Sequence, residues 1–496
     1  MPDQTSTQTS DLIAHARALR ARLLADPQRP AYHFVSPEGV SQPFDPNGAL
    51  FWHGRYHLMY IFQNEQGHCW GHASSADLLH WRHHPTALAP GDGDQGIFSG
   101  AAFLTSQGRP ALIYHGVHAG NCLAFAADGE LDRWDKFAGN PIVPIPKEGD
   151  PAFGRFESWD PHAWREGETT YAIFGGKTPA LFKSHDLRHW THLGPFLADR
   201  RWINGADASC PDFFPLGDPG GDRHVFLFIS HDLGCQYVVG HWQDEVFHPE
   251  HHGMMNWSGG RFFAPETLVD DRGRRILWAW VPEARDLDRA QEDGWSGVMS
   301  LPRVLSLTAG GDLRIEPAEE LAHLRARPRS CENVRLAAGA ELPLPDLAGD
   351  QQELLVEVAP GEGQEIGVRV RCSPGGEEQT VIAWDRGAGT LRLDVTRSSL
   401  DASVRYGWPY VYSSTKGAGD ERVQIAPLAL APGEPLALRI FLDHSIVEVF
   451  ANGRQCITQR IYPTRPDSQG VALFAPGGDV TVQRIQAWEL AATNPW

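Results

Sequence analysis

The chain has no CxxC pair and no long apolar run. Its seven cysteines, Cys69, Cys122, Cys210, Cys235, Cys331, Cys372 and Cys456, are scattered over 496 residues. An odd, dispersed set is no disulfide framework and has no zinc spacing. It predicts free, mostly buried thiols in a reducing compartment. No stretch reaches the roughly 18 apolar residues of a membrane span. The N-terminal "MPDQTSTQTSDLIAHARALRARLLADPQRP" is charged throughout and lacks the apolar core of a signal peptide. These absences predict a cytoplasmic protein. Positive charge is also scarce, with 43 Lys and Arg against 62 Asp and Glu and a formal net charge of -19. Such a surface repels phosphate backbones and anionic lipid, so neither nucleic acid nor membrane is an expected partner.

What the chain does have is tryptophan and glycine, 17 and 51 of them. That mixture fits an all-β protein with tight turns and aromatic faces for flat ligands such as sugars. "EPAEELAHLRARP" ahead of residue 335 looks helical, and residues 10 to 25 carry a helical period, which predicts a helical extension over residues 1–30. Thereafter short strands recur, such as "RYHLMYIF", "TYAIFGG" and "RILWAWV", separated by Gly, Asp, Pro and Asn. "SADLLHW", "GELDRW" and "SHDLRHW" repeat an Asp/Leu-then-Trp pattern, and Trp81, Trp134, Trp190 and Trp242 are spaced by 53, 56 and 52 residues. A period near 50 with about four strands per unit is the signature of propeller blades. Residues 31–320 have room for five. From 335 to 496 alternating strands without helices, one pair joined by the Asn-Gly of "FANGR", predict a β-sandwich. The expected fold is therefore all-β, a five-bladed β-propeller followed by a β-sandwich.

A propeller gathers the first strand of every blade around one axis, so carboxylates in turns at blade entrances are the candidates for chemistry. Asp45 in "FDPNG" and Asp160 in "SWDPH" each precede a proline and an apolar strand. Asp207 stands before "SCPDFF". Each has a plain alternative as a turn residue. His68, His72, His80, His83 and His84 fall within 17 residues but lack metal-binding helical spacing, so neither metal nor cofactor is expected.

These stretches resemble the invertase, levanase and inulinase group of glycoside hydrolases, family 32. "DPNG" matches its first motif, "FSG" at Phe98–Gly100 its second, "WDP" its Arg-Asp-Pro motif and "CPDFF" its Glu-Cys-Pro motif without the glutamate. "GWSGVMSLPRVLSL" and "LRIFLDHSIVEVFANGR" resemble its last blade and its C-terminal sandwich. The resemblance implies a retaining mechanism, with two carboxyl groups flanking an oxocarbenium-like transition state. By that match Asp45 is the nucleophile and Asp160 the stabiliser. Asn47, Gln63, Trp70, Phe98, Ser99, Trp159, Glu266 and Trp295 occupy positions resembling sugar contacts. The trytophans among them also read as core residues.

Three departures accompany the match. Ser209 stands where the resemblance calls for the acid/base glutamate, Phe44 where Asn is usual and Trp159 where Arg is usual. A serine hydroxyl cannot serve as the acid, and lost general-acid help costs ~10²–10⁴ in rate. An indole does not replace a bidentate guanidinium. Asp207, Glu266 and Glu157 are the carboxyls that could stand in, Asp207 first, because side chains two apart on a strand share a face. The expected function is hydrolysis of a furanoside, foremost a β-fructoside. Action on another furanoside such as an arabinofuranoside, transfer to another sugar, and a binding protein that has lost catalysis are the rivals. A small carbohydrate is the expected partner, and the sequence leaves the oligomeric state open.

Overall fold

The computed structural model describes residues 4–217, 221–308, 310–360, 363–407 and 419–494. After a helix over Gln4–Ala25, five antiparallel sheets follow in chain order. Each is a meander of four strands, and the second gains a short fifth, Val143–Pro144. Their first strands are Pro46–Trp52, Ile97–Leu104, Pro161–Glu166, Ser209–Pro215 and Phe263–Val269. Each first strand packs against the next, and the fifth packs back against the first. The segment before the first sheet joins the same closure, with Val35 bridging Val298 and Met299 N–H donating to Phe34 O.

The repeat that spaces the tryptophans encodes a turn. Asp77 and Asp186 each accept backbone N–H groups two and three residues on, so the side chain stands in for a backbone turn. Leu78, Leu131 and Leu187 all take positive φ, at 66°, 60° and 61°. Trp81 and Trp134 then open the fourth strands of the first two sheets, and Trp190 directly precedes that of the third. Trp242 departs from the pattern, lying near the end of the third strand of its sheet.

The last strands form two six-stranded sheets. Val356, Leu438, Ile440 and Val449 from one meet Val368, Ile382, Leu393 and Leu473 from the other in a single apolar cluster. Strand Thr390–Arg397 alternates buried and half-buried residues with period 2, as a strand with one face on a core must. The strand Arg325–Leu336 belongs to this part, so the second β region begins ahead of residue 335.

A buried polar seam ties the parts together. Asp443 accepts the backbone N–H groups of Ala31, Tyr32 and His33. Glu448 accepts Leu301 N–H and Arg303 Nη2–H, each at 2.8 Å. Glu283 binds Arg285, Arg460 and Tyr462. Near the C-terminus, Thr493 and Asn494 donate their backbone N–H groups to Ala31 O.

Candidate active site

Because every sheet is a meander, the start of its first strand and the turn between its second and third strands lie at one end. Asp45, Asp160 and Ser209 all stand at such starts. Four of the five first strands also carry a β-bulge within their opening residues, between Asn47 and Leu50, Ile97 and Gly100, Ser209 and Asp212, and Phe263 and Glu266. A bulge breaks the pleat and re-aims a side chain. Here the second bulge carries Ser99 and the third carries Cys210, whose φ is 46°.

The result is a compact cluster. Ser99 Oγ donates to Asp45 Oδ2 at 3.0 Å, and Cys210 N–H donates to Asp160 Oδ2 at 3.0 Å. The Cys210 thiol lies 3.9 Å from Asp45 Oδ2 and 3.6 Å from Asp160 Oδ2, so the two carboxyls converge on one sulfur. Asp45 and Asp160 are only 8% and 4% exposed. Burial pushes the Asp45 carboxyl up to about 7, opposed by the Ser99 hydroxyl and assisted by the Asp160 charge. Burial also raises Asp160, against the charge of His115 and the Cys210 amide. The second oxygen of Asp45 is buried without a hydrogen-bond partner among the described residues.

Beside this floor runs a polar chain. Trp159 Nε1–H donates to Ser209 Oγ at 2.8 Å, and Ser209 Oγ–H donates to Asp207 Oδ2 at 2.7 Å. Asp207 Oδ2 also faces His231 Nδ1 at 2.7 Å, and its Oδ1 accepts His231 N–H at 3.0 Å. Asp207 and Ser209 thus do share a face. Burial raises the Asp207 carboxyl, but its bonds to His231 and Ser209 outweigh that and hold it below the ordinary carboxylate range.

Models of the glycosyl hydrolases family 32 match this chain over residues 33–317 for the N-terminal domain and 320–489 for the C-terminal domain. The chain belongs to glycosyl hydrolases family 32. It is a glycoside hydrolase. It is 30% identical to the sucrose-6-phosphate hydrolase of Zymomonas mobilis, over 95% of this chain and 94% of that one. It is 31% identical to the levanase of Bacillus subtilis, over 92% and 69%. The fructan 1-exohydrolase IIa of Cichorium intybus superposes with a TM-score of 0.81 at 25% identity, over 94% and 98%.

The residues singled out by resemblance fare differently in the structure. Phe98 is half-buried and packs with His68, His115 and Trp159 at the same end as the carboxyls. Gln63 is exposed near the end of its strand, beside that turn. Asn47 is not free to meet a sugar: its Nδ2 donates to Asp45 O and its Oδ1 accepts Gly100 N–H, tying the first sheet to the second. Gly100 is required there, since a Cβ would strike the Ile113 carbonyl.

Trp70 and Trp295 offer no stacking face. Trp70 is 0% exposed and its indole N–H donates to Phe98 O, supporting the second bulge from behind. Trp295 is 1% exposed, sits against the Arg285 guanidinium, and donates to Asp26. Glu266 accepts Ala49 N–H. Ala49 is four residues along its strand from Asp45, on the order of 10 Å deeper. Glu266 therefore lies below the floor, where burial raises its carboxyl well above the ordinary range. Glu157 is exposed and accepts Lys177 N–H. Phe44 is fully buried against Tyr60.

Of the histidines named from the sequence, His72 and His84 come together with His57, which was not among them, one ring nitrogen of each lying within 4.8 Å of the others. The His72 and His84 rings stack at 4.1 Å between centroids. Stacking sets their in-plane lone pairs in nearly parallel planes, and His72 Nε2 already faces His57 Nδ1 at 2.9 Å. His84 is instead satisfied by Ser74 and Asp132. Among the described residues no helix is long and apolar enough to cross a membrane.

Proposed function

We propose that the chain hydrolyses β-fructofuranosides with net retention at the anomeric carbon. Asp45 attacks that carbon, and Asp160 binds sugar hydroxyls and stabilises the oxocarbenium-like transition state. The observation that carries this reading is the convergence of both carboxyls on Cys210 at one end of the ring of first strands. The names borne by its relatives, sucrose-6-phosphate hydrolase, levanase and fructan 6-exohydrolase, support the substrate class. In this reading the five sheets are the blades of a five-bladed propeller over residues 31–320, after an extension over 1–30 and before a sandwich whose first strand is Arg325–Leu336. Trp159 and Ser99 border the sugar; Gln63 and Phe98 line the approach to it.

A second reading, another furanoside such as an arabinofuranoside, draws on Trp159 and Phe44, which give the floor an indole and a buried phenyl where arginine and asparagine were expected. Sugar release from sucrose, short inulin, short levan and nitrophenyl furanosides separates the two. Fructose release that vanishes in Asp45→Asn, with the β-anomer formed first by NMR, supports the first. Release from arabinofuranosides alone overturns it.

A further inference from the structure

A retaining hydrolase needs a group that gives the glycosidic oxygen a proton and later takes one from water, and Ser209 cannot be that group. We propose that His231 is this acid/base, with Asp207 as the residue that positions it. This rests on the retaining reading above.

His231 follows the second strand of the fourth sheet, in the turn Ser230–Gly234. By the meander geometry that turn lies at the same end as Asp45 and Asp160. Asp207 grips the residue twice, through the ring Nδ1 and through the backbone N–H. Asp207 is itself held by Ser209 Oγ, the position that resemblance assigns to the acid, so the proton-bearing group hangs from that position through one carboxylate. The imidazole rests against Phe263, the first residue of the fifth sheet, and its side chain is 48% exposed. Its Nε2 has no hydrogen bond among the described residues, which leaves that nitrogen for a leaving group or a water.

Charge agrees with position. The bond to Asp207 raises the His231 pKa, burial opposes it, and the charges of Asp207, Asp160 and Asp45 raise it further. Asp232, the next residue, is bound to Ser230 and Ala206 N–H. The other candidates fall away on their surroundings. Asp207 is held ionised, Glu266 lies deep, and His115 is buried and pushed toward the neutral form.

In the first step the Asp45 carboxylate bonds to the anomeric carbon as the C–O bond to the leaving group breaks. The Nε2 proton passes to that oxygen, which departs as an alcohol, leaving neutral imidazole. In the second step Nε2 takes a proton from water as the water oxygen attacks the anomeric carbon. The bond to Asp45 breaks, restoring carboxylate and imidazolium.

The test compares His231→Gln and Asp45→Asn on sucrose and on nitrophenyl β-fructofuranoside, whose leaving group needs little protonation. His231→Gln is expected to lower kcat/KM by ~10²–10⁴ on sucrose and by under ~10-fold on the nitrophenyl substrate, with azide restoring turnover of the latter. Asp45→Asn abolishes both. Asp207→Asn is expected to shift the basic limb of the pH–kcat profile to lower pH, since it removes the charge that raises the imidazole pKa. A merely structural Asp207 leaves the limb in place. Equal losses on both substrates in His231→Gln, a wild-type rate on sucrose, or an unmoved basic limb in Asp207→Asn overturns the proposal while leaving the retaining reading intact. Asp45→Asn at wild-type rate, or a wild-type protein silent on every fructoside, overturns both.

Discussion

At the mouth of the ring, Asp45 and Asp160 are buried without an ion pair among the described residues. Along the seam, Glu283, Asp443 and Glu448 are buried as deeply but lie among Arg285, Arg460, His33 and Arg303. Burial acts on both sets in the same direction, toward the neutral acid. Only along the seam do cations overcome it, holding Glu283 and Asp443 below the ordinary range and Glu448 at about 2. In the proposed reading the contrast separates carboxyls that hold the fold from carboxyls kept for chemistry. A buried acid left without a counter-ion costs stability, and such sites are where function collects.

The sharpest break in this contrast is Asp45→Asn. Turnover of any fructoside is expected to fall by on the order of 10⁴-fold or more, with the melting temperature no lower than that of the wild type. A variant that unfolds instead would place Asp45 with the seam carboxyls. Next in size is Arg303→Met, which takes the guanidinium from Glu448 and leaves it only His33 as a cationic partner among the described residues. Removing one partner of a buried pair costs roughly 3–5 kcal/mol, read as a lower denaturant midpoint, with activity per folded molecule unchanged.

The pH dependence sharpens the comparison further. Glu448 titrates at about 2 when folded, below its ordinary 4.5, so its stabilisation is present above that range and lost as pH falls toward 2. Asp45 runs the other way. Its folded pKa of about 7 exceeds the ordinary 3.8, so its contribution is fully present below that value and lost as pH rises toward 7. The melting temperature of Asp45→Asn relative to wild type is therefore expected to climb between about pH 4 and pH 7, as is the acid limb of kcat/KM. A constant difference across that window would show that Asp45 is ionised throughout. The smallest effect is expected from Trp159→Phe, which removes the N–H to Ser209 and trims the ring that packs against Phe98 and His115. A net hydrogen bond of about 1 kcal/mol corresponds to a few-fold loss in kcat/KM, measured on sucrose.

Much of this arrangement was legible before any coordinates. Asp45, Asp160 and Ser209 lie in motifs that differ from plain turns by what surrounds them, and the Asp-Leu-Trp repeat marks three successive sheets. What the sequence hid is direction and depth. Trp70 and Trp295 read as sugar platforms because an indole's letter is the same whether it faces a ligand or a core. The bulges left no trace, as one extra residue in a strand changes no composition. His231 was concealed by resemblance within the chain. "SHDL" occurs at 184–187 and again at 230–233. The first copy joins third and fourth strands and so lies at the far end, whereas the second joins second and third strands, at the mouth. Four identical letters thus sit at opposite ends because strand count, not local sequence, sets which end a turn occupies.

The bonds from Thr493 and Asn494 to Ala31 have a mechanical side. Residues near the two ends of the fold meet on one surface, so the polypeptide closes on itself like a clasped belt. Tension applied there bears on the clasp, whose two N–H groups share one carbonyl oxygen. The same clasp makes residues 31 and 493 a natural splice for a rearranged chain order, since the gap to be joined is already closed.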